Sequence, residues 1–279
     1  MSAATLNPLT IPTSDGRTLS ALHAGEGPAV VVFEAGLGMS APSWGPVLRL
    51  LAPHCQVLAY NRAGIGESIP DREPRTLQRL ADDLATVARH IPHGQLILVG
   101  HSWGGPILRT VAATGQLSDT VRGIVLVDPS DEHLLGEYHP ITLNLQRRLM
   151  PMLARFGLLR RMTARLVDEL PASDREQTLA ACCSVSAAKE ASAELAQFLP
   201  GMQGLHAEPL PVPSVLLTGT QPDHGEPAAM RERINAAHRE TAEALGAQLI
   251  LAEQSGHRIP CTQPELIAQV VRDLLEKQD

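Results

Sequence analysis

Residues 95–104 read Gln95-Leu96-Ile97-Leu98-Val99-Gly100-His101-Ser102-Trp103-Gly104. The apolar run Leu96–Val99 is short and bounded, as expected of a buried strand, and helix-forming residues follow from Ser102 to about Ala113. The five residues at the junction fit G-x-S-x-G. That pattern has chemical meaning only on a sharp strand-to-helix turn, where the serine stands exposed at a strained apex. Small residues are needed at 100 and 104 because such a turn crowds the backbone against its neighbours. A serine hydroxyl is a poor nucleophile near neutral pH, so Ser102 as nucleophile requires an adjacent base.

Outward from this turn the chain alternates strands and helices. Thr18–His23 and Ala29–Glu34 read as strands separated by the turn Gly25-Glu26-Gly27-Pro28, and Val30-Val31-Val32-Phe33 suits a strand covered on both faces. Gln56–Tyr60, Gln95–Gly100, Val121–Asp128, Ser214–Gly219 and Gln248–Ala252 are further strands. Apolar residues at 77, 80, 84, 87 and 91 make a helical stripe over Thr76–Ile91. Helices are also expected over Pro227–Gly246 and Pro264–Lys277. This pattern predicts an α/β fold, a doubly wound and mostly parallel sheet.

Between Pro129 and Pro213 the strands stop. Leu145–Leu159, Met162–Leu170, Arg175–Cys183 and Ser186–Leu199 are all helical in character. The expected division is a core of residues 1–129 and 213–279 with an all-helical cap over 130–212. In the cap, Leu145, Leu149, Met150, Met152, Leu153, Phe156, Leu158 and Leu159 are expected to form an apolar underside. Arg147, Arg148, Arg155, Arg160, Arg161 and Arg165 read as a solvated face, with attraction of an anionic substrate as the alternative.

The chain has 279 residues, 44% apolar and 19% charged, which fits one domain of about 200–250 residues with an insertion and excludes disordered, collagenous and coiled-coil classes. Its 23 Lys and Arg against 30 Asp and Glu give a net charge of −7, which argues against a nucleic-acid partner. Cys55, Cys182, Cys183 and Cys261 show no C-x-x-C spacing, and no His/Cys/Asp cluster has metal spacing. Gly64-Ile65-Gly66 lacks the remaining glycine of a dinucleotide fingerprint, so no cofactor is implied. The first residues carry no secretory pattern and no stretch approaches the ~18 apolar residues of a membrane span. The expectation is a cytoplasmic protein, monomeric or homodimeric, acting on a small molecule.

With Glu34-Ala35-Gly36-Leu37-Gly38 after one strand, Tyr60-Asn61-Arg62-Ala63-Gly64-Ile65-Gly66-Glu67-Ser68 after the next, the Gly100–Gly104 turn, Val127-Asp128-Pro129, and Ser255-Gly256-His257 before the last helix, the sequence resembles the α/β-hydrolase family over nearly its whole length. Ala35 stands where the family often has His, and Asn61 where it has Asp. The resemblance implies Ser102 as nucleophile and His257 as its base, in a loop at the same sheet edge. Its third member is Asp128 or Asp223: the family's usual position favours Asp223, and the Glu34–Gly38 loop together with Val127-Asp128-Pro129 favours Asp128. Backbone N–H groups of Leu37 and Trp103 would form the oxyanion hole. Glu34 is expected to hold this loop through hydrogen bonds to its backbone N–H groups. His101 adjoins Ser102 but lies inside the turn, so it is set aside as the base and counted, with Trp44, Gly36 and Gly38, among the residues against the substrate. Trp44 and Trp103, the only tryptophans, flank the expected cleft.

The implied activity is hydrolysis of small, mostly apolar carboxylic esters through an acyl-enzyme. Lactone, amide and carbon–carbon hydrolysis, acyl transfer, and a non-catalytic ligand-binding scaffold are its rivals. A serine at 102 argues against the dehalogenase and epoxide-hydrolase branches, which resemble this chain but use Asp there.

Overall fold

The computed structural model describes residues 4–223 and 225–276. Eight strands form one sheet: β1 (Asn7–Pro12), β2 (Thr18–Ala24), β3 (Ala29–Glu34), β4 (Gln56–Tyr60), β5 (Gln95–His101), β6 (Val121–Val127), β7 (Ser214–Gly219) and β8 (Gln248–Ala252). Their order is β1-β2-β4-β3-β5-β6-β7-β8, antiparallel at β1–β2 and β2–β4 and parallel elsewhere. The first strand was not legible in the sequence, because Pro8 and Pro12 interrupt it. It pairs only with β2, at the sheet edge, where a missing N–H donor is tolerated.

Core helices are α1 (Gly45–Leu51), α2 (Leu77–His90) and α3 (Gly104–Thr114). Thr76 caps α2 by accepting the Arg79 N–H at 3.2 Å. Val30, Val31, Val32 and Phe33 are fully buried, as their unbroken apolar run requires. Val30 and Val32 join the apolar cluster with α2 and α3, whereas Val31 and Phe33 join the one with α1 on the other face. Burying side chains of this size contributes about 1.5–3 kcal/mol each.

The segment between β6 and β7 carries α4 (Pro140–Arg155), α5 (Leu158–Leu166), α6 (Ala172–Cys182) and α7 (Val185–Gln203). The helix expected over Leu145–Leu159 is broken at Gly157, which takes a left-handed φ of 70° and separates α4 from α5. Nor do the eight apolar residues of that stretch form one underside. Leu145, Met152, Phe156 and Leu158 are exposed, while Met150 packs against the core. The physical reason is phase: α4 rests on α7 along one side, and the stripe carrying Leu145, Met152 and Phe156 faces away from it.

After β7 come α8 (Ala228–Leu245), α9 (Ile259–Thr262) and α10 (Pro264–Glu276). Lys277, included in the expected last helix, lies outside the described residues. The chain steps from β3 to β4 on one side, crosses back to β5, and continues outward to β8. Strand order therefore reverses between β3 and β5, and the crevice at their carboxyl ends is where such sheets bind ligands.

Candidate active site

Ser102 takes a φ of 53°, a left-handed conformation unusual for a side-chain-bearing residue. The neighbours hold it there. Its N–H donates to Val127 O at 3.0 Å, and its carbonyl accepts from the N–H groups of Gly105 and Ser130, each at 3.0 Å. The turn is crowded where the sequence requires it to be. A Cβ on Gly100 would lie 2.7 Å from Gly104 O, and one on Gly104 would lie 2.6 Å from Glu34 O. Both obstacles are backbone. Gly104→Ala is expected to lower the Tm by about 3–10 °C through overpacking; an unchanged melting curve would show that the turn yields.

His257, in the loop after β8, points Nδ1 at Asp128 Oδ2 at 2.7 Å. The carboxylate can only accept, so Nδ1 carries the proton and Nε2 is left as the basic nitrogen. Asp128 directly follows β6, is buried, and has a φ of 40°. Its Oδ1 also accepts the Gly219 N–H at 2.9 Å, and the Arg231 guanidinium lies 3.1 Å from Oδ1 and 3.2 Å from Oδ2. Burial works against the charged carboxylate, but the His257 hydrogen bond with the nearby His238 and Arg231 outweighs it and holds Asp128 well below the usual carboxylate range.

Asp223 has a different station. Its Oδ2 accepts the backbone N–H of His257 at 2.7 Å, and its Oδ1 accepts Arg258 Nε at 3.1 Å. It fixes the loop bearing the imidazole and makes no hydrogen bond to the ring. Gly256 allows this approach, since a Cβ there would fall 2.8 Å from the Asp223 carboxyl carbon.

His101 lies beside both residues. Its Nε2–H donates to the His257 carbonyl at 2.8 Å, and the two rings are 4.6 Å apart between centroids. Burial, then repulsion from His257, pushes His101 down to about 3. It is therefore neutral in the fold, whereas an unfolded chain protonates it below about 6.5. Its contribution to stability is complete above that value and is lost as the pH falls from about 6.5 toward 3. His101→Gln is expected to flatten the decline of Tm with pH across this window; parallel curves for wild type and variant would refute it.

The Glu34–Gly38 loop is held differently from the expectation. Glu34 bonds no backbone N–H of the loop. Its carboxylate accepts from the Tyr60 hydroxyl and from Arg62 Nη1, the latter at 2.6 Å. Arg62 holds the loop, with Nη1 donating to Ala35 O and Nη2 to Gly36 O, both at 2.7 Å. Its Nε donates to Glu194 of α7 at 2.8 Å, and all three charged groups are buried. The reason is geometric: the loop presents carbonyls, not N–H groups, to this side, so the group that holds it must donate, as Arg62 does and a carboxylate cannot. Arg62 stands in the quoted 60–68 turn, but nothing local marks it for this role, because its partners come from β3 and α7.

Two cavities meet at Ser102. One, of about 180 Å³, is lined by Gly36, Trp44, His101 and Cys261 among others, and the second, of about 350 Å³, by Trp103, Tyr138, Leu143 and Phe198 among others. Ser102, His257 and Leu37 line both. Gly38, expected against the substrate, lines neither. Its left-handed φ of 70° turns it toward α7, where a Cβ would sit 3.2 Å from that of Ala191. Elsewhere Asp131, Glu132 and His133 lie close enough together to suggest a cation site. The Asp131 oxygens, however, already accept from the His133 N–H at 2.9 Å and the Thr241 hydroxyl at 2.7 Å.

A model of the alpha/beta hydrolase family matches residues 31–270, more than half of the chain. The chain belongs to the α/β-hydrolase family. This α/β-hydrolase is 30% identical over 120 residues to the uncharacterized protein YqjL of Bacillus subtilis, covering 42% of this chain and 47% of that one. It is 30% identical over 111 residues to 2-(acetamidomethylene)succinate hydrolase of Mesorhizobium japonicum, covering 40% and 39%. The matches span less than half the length of these curated relatives. Among solved structures it is similar to a thermophilic esterase from Thermogutta terrifontis, with a TM-score of 0.70, 22% identity and 98% of each chain covered. Among the described residues no helix is long and apolar enough to cross a membrane.

Proposed function

We propose that this α/β-hydrolase cleaves small, mostly apolar carboxylic esters through an acyl-enzyme formed on Ser102. The observation that carries the reading is the 2.7 Å contact between His257 Nδ1 and buried Asp128, in a cleft whose walls include Ser102. In this mechanism Ser102 Oγ attacks the ester carbonyl carbon as His257 Nε2 takes its proton. Asp128 holds the tautomer and stabilises the imidazolium. The carbonyl oxygen, now negative, is held by the N–H groups of Leu37 and Trp103, which make none of the loop and turn hydrogen bonds that engage their neighbours. Arg62 keeps the Leu37 loop in place. Collapse of the intermediate expels the alcohol, protonated by His257; water then attacks the acyl-enzyme, giving a proton to His257, which passes it to the departing Ser102 Oγ as the carboxylic acid leaves.

Residues 130–212 act as a helical cap over a core of 1–129 and 213–279. Support comes from Tyr138, Leu143, Leu166 and Phe198, which wall the cavities from that segment. Apolar walls on both sides of Ser102 favour lipophilic acyl and alcohol groups.

The test is turnover of p-nitrophenyl esters from C2 to C12 together with labelling by a fluorophosphonate. Turnover favouring the shorter chains, with one label per chain on Ser102, is expected. Labelling without ester turnover would move the reading to lactones, amides or carbon–carbon bonds. Neither labelling nor turnover would favour a binding scaffold.

A further inference from the structure

Seven large apolar side chains on two consecutive helices face solvent. They are Ile141, Leu145 and Met152 on α4, Phe156 at its C-terminal cap, and Leu158, Met162 and Leu166 on α5; Ile141 is 84% exposed and Phe156 69%. At 100° per residue, the first four fall within a stripe about 60° wide along α4 and its cap. Arg148 and Arg155 are also exposed and lie along one edge of that stripe. Residues 140–166 hold six of the chain's 23 cations and none of its 30 acidic residues. Arg148, Arg155, Arg161 and Arg165 are exposed, and the ion pair that these two helices make among the described residues is that of Arg160 with Glu176.

An apolar stripe of this extent marks an interaction surface. We propose that α4 and α5 dock the protein onto an anionic lipid surface, the apolar stripe entering the headgroup region and the arginines meeting the lipid charges. Charge decides the occupant. A second copy would bring four exposed arginines against four, and the repulsion disfavours it. The stripe lies on the outer side of the helix, and Ile141, Leu145, Met152 and Phe156 line neither cavity of the cleft. A fluid, planar, negatively charged surface matches that shape better than a partner needing pockets for its anchors. Leu166 belongs both to this surface and to the wall of the smaller cavity beside Ser102, so docking sets the cleft next to the lipid. The contact is with the surface only.

The experiment is co-sedimentation of the full chain with vesicles of phosphatidylcholine containing 30% phosphatidylglycerol, against phosphatidylcholine alone. Wild type is expected to sediment with the anionic vesicles and to be released by 0.5 M NaCl. Arg148→Gln combined with Arg155→Gln is expected to weaken partitioning roughly 30-fold, two cations near an anionic surface being removed. Phe156→Ser tests the apolar half and is expected to weaken it several-fold. These side chains are exposed, so melting curves confirm that each variant is folded. No binding of wild type to anionic vesicles, or equal binding by all three proteins, overturns the proposal. So does a concentration-dependent dimer, seen by light scattering and lost in Phe156→Ser, or an acidic protein that needs the stripe while vesicles do not.

Discussion

Alanine at Ser102 is expected to reduce turnover of a short p-nitrophenyl ester by about 10⁶-fold. The step removed is covalent, and no neighbouring group replaces it. His101 is neutral and has its Nε2–H committed to the His257 carbonyl. A residual acceleration over water of about 10³–10⁴ would remain from the oxyanion donors and from binding. Because alanine meets the same left-handed backbone as serine, the Tm is expected to stay within a few degrees of wild type. Steady-state kinetics with a melting curve checks both. A folded variant that keeps more than about a hundredth of the activity would remove Ser102 from the chemistry, since a nucleophile's loss is never so mild.

The next largest effect is expected from Asp128→Asn, about 10⁴-fold in turnover. Asparagine can present its amide N–H to His257 Nδ1, which selects the tautomer with the proton on Nε2. The imidazole would then face Ser102 with a donor and no longer serve as a base. The variant is also expected to melt lower, because Arg231 and the Gly219 N–H would face a neutral amide. Asp223→Asn is the control. Its amide oxygen can still accept the His257 N–H, so the change is expected to stay within roughly tenfold, the scale of one weakened hydrogen bond. A large loss in Asp223→Asn with a small one in Asp128→Asn would exchange the two assignments.

The parallel sheet was legible because its strands are buried on both faces and need unbroken apolar runs such as Val30–Phe33 and Leu96–Val99. The edge strand Asn7–Pro12 was not, since its proline-broken composition is tolerated only by position in the sheet. The helix break at Gly157 is hidden in the sequence because the apolar periodicity continues across a residue whose backbone does not. Ser102 and His257 stood out through local patterns at strand ends. The two aspartates did not separate, because both follow strands on the same edge. What separates them is the crossing of two loops, with Gly219 and Gly256 in contact closer than a Cβ allows. Arg62 stood in the quoted 60–68 turn without its role being marked, and Glu194, Arg231 and His238 gave no signal at all. Each acts through a partner distant in sequence, as Arg62 does with Glu194 and Arg231 with Asp128.

Ser102 and Asp128 are the two non-glycine residues among those described with a positive φ, and they sit at the ends of neighbouring strands, joined through the Ser102 N–H and Val127 O. A left-handed conformation costs a side-chain-bearing residue about 1–2 kcal/mol that glycine would not incur. At Ser102 selection for thermal endurance alone would thus drift toward glycine, whereas at Asp128 the buried carboxylate offsets that cost through its bonds to Arg231, the Gly219 N–H and His257. The sequence keeps serine at 102 instead, so the scaffold sits below the stability its own backbone permits, and that shortfall is concentrated on this one turn.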